Sequence, residues 1–247
     1  MPQASTRNRT VLAVVAILLA LGAGLLVGWL WRGTAVPTGD RAAVEKIVRE
    51  YILEHPEILP EAMQNLQKRE NAQALSGIRD QVHAPFPGAV LGNPQGKVTL
   101  VEFTDYACSF CRQSVAEVEQ LIAANPELRV VVRDLPILSP RSADAAKMAL
   151  AAAEQGKYAA FHHAMFAAGQ PGPETIQAAA QAAGLDLARA QRVIADPRIE
   201  TELARNIDFA RQLGFNGTPA WIAGDQLLSG AVGQARLAEA IEAAKKG

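Results

Sequence analysis

Residues 105–112 read D-Y-A-C-S-F-C-R and hold both cysteines of the chain, Cys108 and Cys111. A disulfide across two intervening residues closes almost no loop, so it would add little as a staple. Two chemistries fit the spacing: a redox couple, or part of a metal site. For the first, a thiol must become a thiolate, and a helix N-terminus lowers its pKa from the ordinary value of about 8.5. The apolar run Val98–Phe103 before the motif predicts a buried strand. The spacing of Val115, Val118, Leu121 and Ile122 predicts a helix over 113–124. Cys108 then falls where strand gives way to helix, and Cys111 one turn further in. Cys108 is the expected attacking thiol, and Cys111 the one that resolves a mixed disulfide. A metal needs more: tetrahedral zinc takes about four ligands. His55 and His83 lie far along the chain, while His162 and His163 are neighbours whose side chains diverge on a helix. All four read as surface or packing histidines, with copper handling by the thiols left open.

The elements that position the pair follow from periodicity. Leu128–Val132 predicts a second strand, so the motif sits in a β–α–β unit with parallel strands. Residues 141–213 are alanine-rich and helical in spacing, punctuated by glycines, with Pro173 and Pro197 placed as helix starts. Residues 219–229 read as a hairpin turning at Gly224–Asp225, and a closing helix is expected from about Gln234 to Lys246.

The 247 residues carry a net charge of −1, which excludes the basic footprint of a nucleic-acid binder. Residues 11–31 are uncharged and apolar, long enough to span a bilayer core of roughly 30 Å. Arg7 and Arg9 precede this run, and Trp29 and Trp31 close it. These features predict a single-pass anchor in the inner membrane, with residues 1–10 cytoplasmic and the rest extracytoplasmic. That compartment oxidises thiols, and a lone C-x-x-C there reads as a working couple. Residues 40–82 form a helical appendage. Asp40 is its expected cap, Val44, Ile47, Val48, Tyr51 and Ile52 its apolar stripe, and Pro56 the break near His55. Ala62, Met63, Leu66, Leu75, Ile78 and Val82 continue the apolar pattern. The stripe can fold back on the chain or join copies in a homo-oligomer, and the pattern leaves both open. The Pro- and Gly-rich run 83–97 marks a boundary.

V-E-F-T-D-Y-A-C-S-F-C, followed much later by Gly217-Thr218-Pro219-Ala220, resembles the DsbA-like thiol–disulfide oxidoreductases of the thioredoxin superfamily. The resemblance covers residues 88–247. It implies an α/β thioredoxin fold with a helical domain inserted at about 141–213, preceded here by the membrane helix and the appendage. It places Pro219 as a cis-proline against the cysteines, and gives Thr218 the role of offering backbone hydrogen bonds to a substrate. Glu102 stands where such proteins often hold an acidic residue, and proton transfer to and from Cys111 needs an acid/base group nearby. Asp105 and Tyr106 shape the turn. Ser109 and Phe110 tune the redox potential, and they depart from the Pro-His of strongly oxidising relatives, so the imidazole that supports the thiolate there is missing. The segment E-K-I-V-R-E-Y-I-L-E-H-P-E-I-L-P-E-A-M is similar to the N-terminus of ScsC-like and Com1-like relatives, some of which are oligomers.

The expected function is an oxidase or isomerase of cysteines in extracytoplasmic proteins. It needs a membrane redox partner and no cofactor beyond the Cys108–Cys111 disulfide. An extracytoplasmic reductase, for example in cytochrome maturation, and a copper-binding module are the alternatives.

Overall fold

The computed structural model describes residues 38–245. The expected membrane span at 11–31 and the cytoplasmic segment before it lie outside the described residues. Among the described residues no helix is long and apolar enough to cross a membrane. The chain divides into two compact units, one ending at Ala62 and the other beginning at Met63.

In the first unit, helix α1 (Thr38–Glu54) begins two residues before the expected cap at Asp40. It stops ahead of His55–Pro56, because a residue before proline is pushed out of helical geometry. Val44, Ile47, Val48 and Tyr51 line its apolar face and are exposed, without cover in that unit. Helix α2 (Ile58–Ser76) crosses the division between the units. The periodicity expected to run on to Val82 breaks at Gly77, and a short helix α3 (Arg79–His83) resumes it.

The second unit is built on a five-stranded sheet in the order β1-β3-β2-β4-β5. Its strands are β1 (Val90–Gly92), β2 (Val98–Thr104), β3 (Leu128–Asp134), β4 (Ala220–Ala223) and β5 (Gln226–Ser229). β2 and β3 are parallel, joined through helix α4 (Ser109–Ala124), and the other pairs are antiparallel. β1 lies inside the run expected to be a bare boundary. Three residues among prolines and glycines leave no period to read, and pairing with β3 supplies the structure. Gly88, at φ 87°, lets the chain enter β1, and a Cβ there would collide with the Ala153 carbonyl. β3 runs two residues beyond the expected end at Val132, so Arg133 and Asp134 belong to the sheet.

Alternation sorts the side chains into two cores. Leu100, Val130, Val132 and Trp221 meet α4 and the inserted helices on one face. Val101, Phe103, Val131 and Ile222 meet Leu75, Val82, Phe209 and Phe215 on the other. Both faces of the sheet are covered, so full burial of each large apolar side chain contributes about 1.5–3 kcal/mol. The insertion comprises α5 (Ser142–Ala153), α6 (Tyr158–Ala168), α7 (Pro173–Ala182), α8 (Leu187–Ile194) and α9 (Pro197–Gln212). Alanines 145, 146, 149, 151 and 152 of α5 are all buried, small enough to let neighbouring helices close in. Pro173 and Pro197 sit in first turns, and Asp186 and Asp196 cap α8 and α9 through backbone N–H groups. Helix α10 (Gln234–Ala244) closes the unit.

One buried cation joins several of these pieces. Arg133 pairs with Glu202 of α9 at 2.6 Å and donates to Asn206 at 3.2 Å. It also donates to the carbonyls of Gln81 at 2.6 Å, of Val82 at 3.1 Å and of Ala84. Its guanidinium lies 5.3 Å from the Phe209 ring centroid.

Candidate active site

Cys108 occupies the N-cap of α4 with extended backbone angles (φ −81°, ψ 118°). The helix therefore starts at Ser109, directly after the cysteine expected at the strand-to-helix junction, and Cys111 lies within its first turn. The Cys111 backbone N–H donates to Cys108 Sγ at 3.2 Å. Cys108 Sγ–H donates to the Thr218 carbonyl at 3.2 Å. Both thiols are free. Cys108 is 4% exposed and Cys111 fully buried. The hydrogen bond from the Cys111 thiol, helped by Thr218 and by the backbone N–H groups of Cys111 and Phe110, draws the Cys108 pKa down to about 6 against the opposing effect of burial. Burial, and then the bond to Cys108, push Cys111 up. The thiolate support that an imidazole between the cysteines would give comes here from the second thiol and the helix end.

The Thr218–Pro219 peptide bond is cis. Pro219 is buried and precedes β4, so the hairpin brings the Thr218 carbonyl to Cys108. The Thr218 hydroxyl is buried without a hydrogen-bond partner. Ser109 and Phe110 form the exposed start of α4, with Phe110 57% exposed. Ile137 and Leu138 are also exposed, and their backbone N–H groups donate to Asp105 Oδ2 at 2.8 and 2.9 Å. The other Asp105 oxygen accepts from Ala107 N–H at 2.9 Å. Asp105 thus ties the turn before Cys108 to the segment after β3.

Glu102 is buried on the α4 face of β2, and burial, then Asp134 and Cys108, raise its pKa to about 8. Its Oε2 has no hydrogen-bond partner. A cavity of about 380 Å³ opens beside α4, with Leu91, Val118 and Ile122 as apolar walls and Glu102 and His162 among its polar groups. At its rim, His163 Nδ1 lies 3.4 Å from Glu119 Oε1.

Sequence reasoning missed the polar groups below the cysteines. Asp134 is buried beside Tyr158, whose hydroxyl donates to its two oxygens at 3.4 and 3.3 Å. Burial, then Asp105 and Glu202, raise the Asp134 pKa to about 8, while the tyrosines oppose the rise. Tyr106 Oη and His162 Nδ1 are 3.3 Å apart. Burial drops His162 to a pKa of about 3. The alternation L-R-V-V-V-R-D, carried two residues further, would have put Asp134 on the face of Leu128, Val130 and Val132. Nothing in the sequence marks Tyr158 or His162. Among the described residues no group of three or more His, Cys, Asp or Glu is placed to hold a metal ion.

A reduced thiol pair at a helix start, facing a proline loop on a sheet interrupted by a helical insertion, defines a thioredoxin-like oxidoreductase architecture. Residues 99–242 match the family model of the DSBA-like thioredoxin domain, and the chain belongs to that family of thiol–disulfide oxidoreductases. Residues 40–73 match a second family model, the copper resistance protein ScsC N-terminal domain. A thioredoxin-like oxidoreductase from Silicibacter pomeroyi is 42% identical, covering 68% of this chain and 98% of that one, with a TM-score of 0.65. The thiol-disulfide exchange protein alpha-DsbA2 from Wolbachia pipientis is 30% identical, covering 74% and 97%, also with a TM-score of 0.65. Among curated proteins, the Na+/H+ antiporter NhaA 1 of Salinispora arenicola is 30% identical over 71% of this chain. The matched region is only 28% of that antiporter's length.

Proposed function

We propose that the chain exchanges disulfides with cysteines of extracytoplasmic proteins, as an oxidase or isomerase, with Cys108 as the attacked and attacking sulfur. The observation that carries this reading is the Cys108 sulfur at the start of α4, accepting the Cys111 N–H and drawn to a pKa of about 6. In the oxidising direction a substrate thiolate attacks Cys108 of the disulfide, and Cys111 leaves. A second substrate thiolate then closes the substrate disulfide and releases Cys108, so two electrons pass to the pair. A group with a pKa as high as that of Cys111 leaves well only if it takes a proton as it departs. Glu102 is protonated at neutral pH and supplies that proton. Thr218 and Pro219 carry the backbone edge that receives the substrate, and Ser109 and Phe110 tune the pair.

Residues 11–31 anchor the protein in the inner membrane with the catalytic unit outside, where a membrane redox partner reoxidises it. The stripe of α1, Val44, Ile47, Val48 and Tyr51, is the surface through which residues 40–82 join copies. No prosthetic group takes part.

The test is disulfide exchange by the full chain. Cys108→Ala is expected to abolish exchange with glutathione disulfide, and retained exchange would overturn the reading. Titration of the pair against glutathione buffers gives the direction. A potential of about −120 to −180 mV fits an oxidase or isomerase, and one near −270 mV makes it a reductase.

A further inference from the structure

Glu102 does not stand alone. In the parallel pairing of β2 with β3, Glu102 lies opposite Val132 and Thr104 opposite Asp134. Glu102 and Asp134 are therefore diagonal neighbours on one face of the sheet, the face of α4. Both are buried, at 2% and 1% exposure. Among the described residues neither has an ion-pair partner, because Arg133 projects from the opposite face to Glu202. A buried carboxyl without a cation is costly, and a structural role would be served as well by an amide. The groups around Asp134 are Glu102 and Asp105 of β2 and its following turn, Tyr106, Tyr158 of α6 and Glu202 of α9. Those around Glu102 are Asp134 and Cys108, with His162, His163 and Glu119 across the cavity.

We propose that Asp134 and Glu102 work as one coupled acid pair, in which Asp134 is the positioning residue that keeps on Glu102 the proton Cys111 takes when it leaves. Two carboxyls sharing a dry site cannot both ionise cheaply, so the pair gives up its protons in two separated steps. Asp134 itself passes no proton to sulfur. Its presence moves the loss of the Glu102 proton to higher pH, so reduction of the disulfide keeps its acid through the neutral range. This inference rests on the exchange reading above.

The experiment follows reduction of the oxidised full chain by glutathione against pH, with the rate divided by glutathione thiolate concentration. The wild-type rate is expected to fall as Glu102 loses its proton, near pH 8. In Asp134→Asn the fall moves down by about one pH unit. In Glu102→Gln the fall disappears, and adding Asp134→Asn to it changes nothing more. A superposable profile in Asp134→Asn, or a shift that persists with Glu102→Gln, overturns the proposal. If Asp134→Asn does not fold, the infrared carboxyl titration of Glu102→Gln supplies the reciprocal test. The Asp134 band must then titrate at lower pH than in the wild type, and an unmoved band overturns the pairing. A wild-type chain inert toward glutathione disulfide would sink the exchange reading itself, which separates that failure from this one.

Discussion

The buried Glu102 makes folding stability fall as pH rises, and Glu102→Gln should remove much of that fall. In the unfolded chain the carboxyl releases its proton around 4.5, whereas in the fold it holds it to about 8. Between these values the native state binds a proton that the unfolded state has lost. Stability is therefore full below the unfolded pKa and declines until the folded pKa is passed. Every tenfold difference in proton affinity between the two states corresponds to about 1.4 kcal/mol, so the proton on Glu102, held by burial and by its neighbour Asp134, accounts for roughly 5 kcal/mol across the window. Set against the roughly 5–15 kcal/mol by which domains are usually stable, that is a large share. The assay is urea unfolding of the oxidised full chain from about pH 5 to about pH 8, since a thiol held in a disulfide adds no titration of its own. The wild-type midpoint should drop steeply over the window, and Glu102→Gln should flatten the curve, leaving the slope that Asp134 contributes. Equal slopes in the two proteins would refute the claim that Glu102 is buried as a neutral acid.

Two further outcomes follow from the same geometry. In the reduced chain, thiolate absorbance should rise with a midpoint near pH 6, present above it and lost below, and should vanish in Cys108→Ser. Arg133→Met should cost about 3–5 kcal/mol in urea unfolding, because Glu202 keeps only the half-exposed Arg205 as a cation partner and the carbonyls of Gln81, Val82 and Ala84 lose their donor. A second change, Glu202→Met, should recover the part of that loss that comes from the buried carboxylate, and a double variant no better than the single one would argue against the ion pair as a source.

Much of the catalytic unit was legible because it rests on local patterns. The strand before Cys108, the helix after it, the hairpin at Gly224–Asp225 and the helical stretch at 141–213 all follow from period and punctuation. What escaped was set by pairing across the sheet. β1 exists because Val90 and Leu91 find partners in Val131 and Val130, which no local period foretells. Arg133 and Asp134 looked like a polar strand end because charge usually means solvent. Their burial depends on α9 and Tyr158, both more than twenty residues further along. The thiolate support at Cys108 was legible only as far as the helix end. The dipeptide Ser109–Phe110 lacks an imidazole, but the start of α4 turns the Cys111 N–H to the Cys108 sulfur, and the burial of Cys111 keeps a second thiol beside it.

The Cys108 sulfur is at once the nucleophile and the cap of α4. As a thiolate it presents a full negative charge to the open end of the helix, whereas in a disulfide it is a neutral and poorer acceptor. The stabilisation that the thiolate draws from the helix end is therefore available only to the reduced protein. Unfolding free energy and appetite for electrons become two readings of one quantity. The more firmly α4 is anchored by the reduced sulfur, the more readily the oxidised form surrenders its bond to another thiol. A substitution that tightened this helix start in the reduced state alone would shift the potential upward, with no new contact to any substrate.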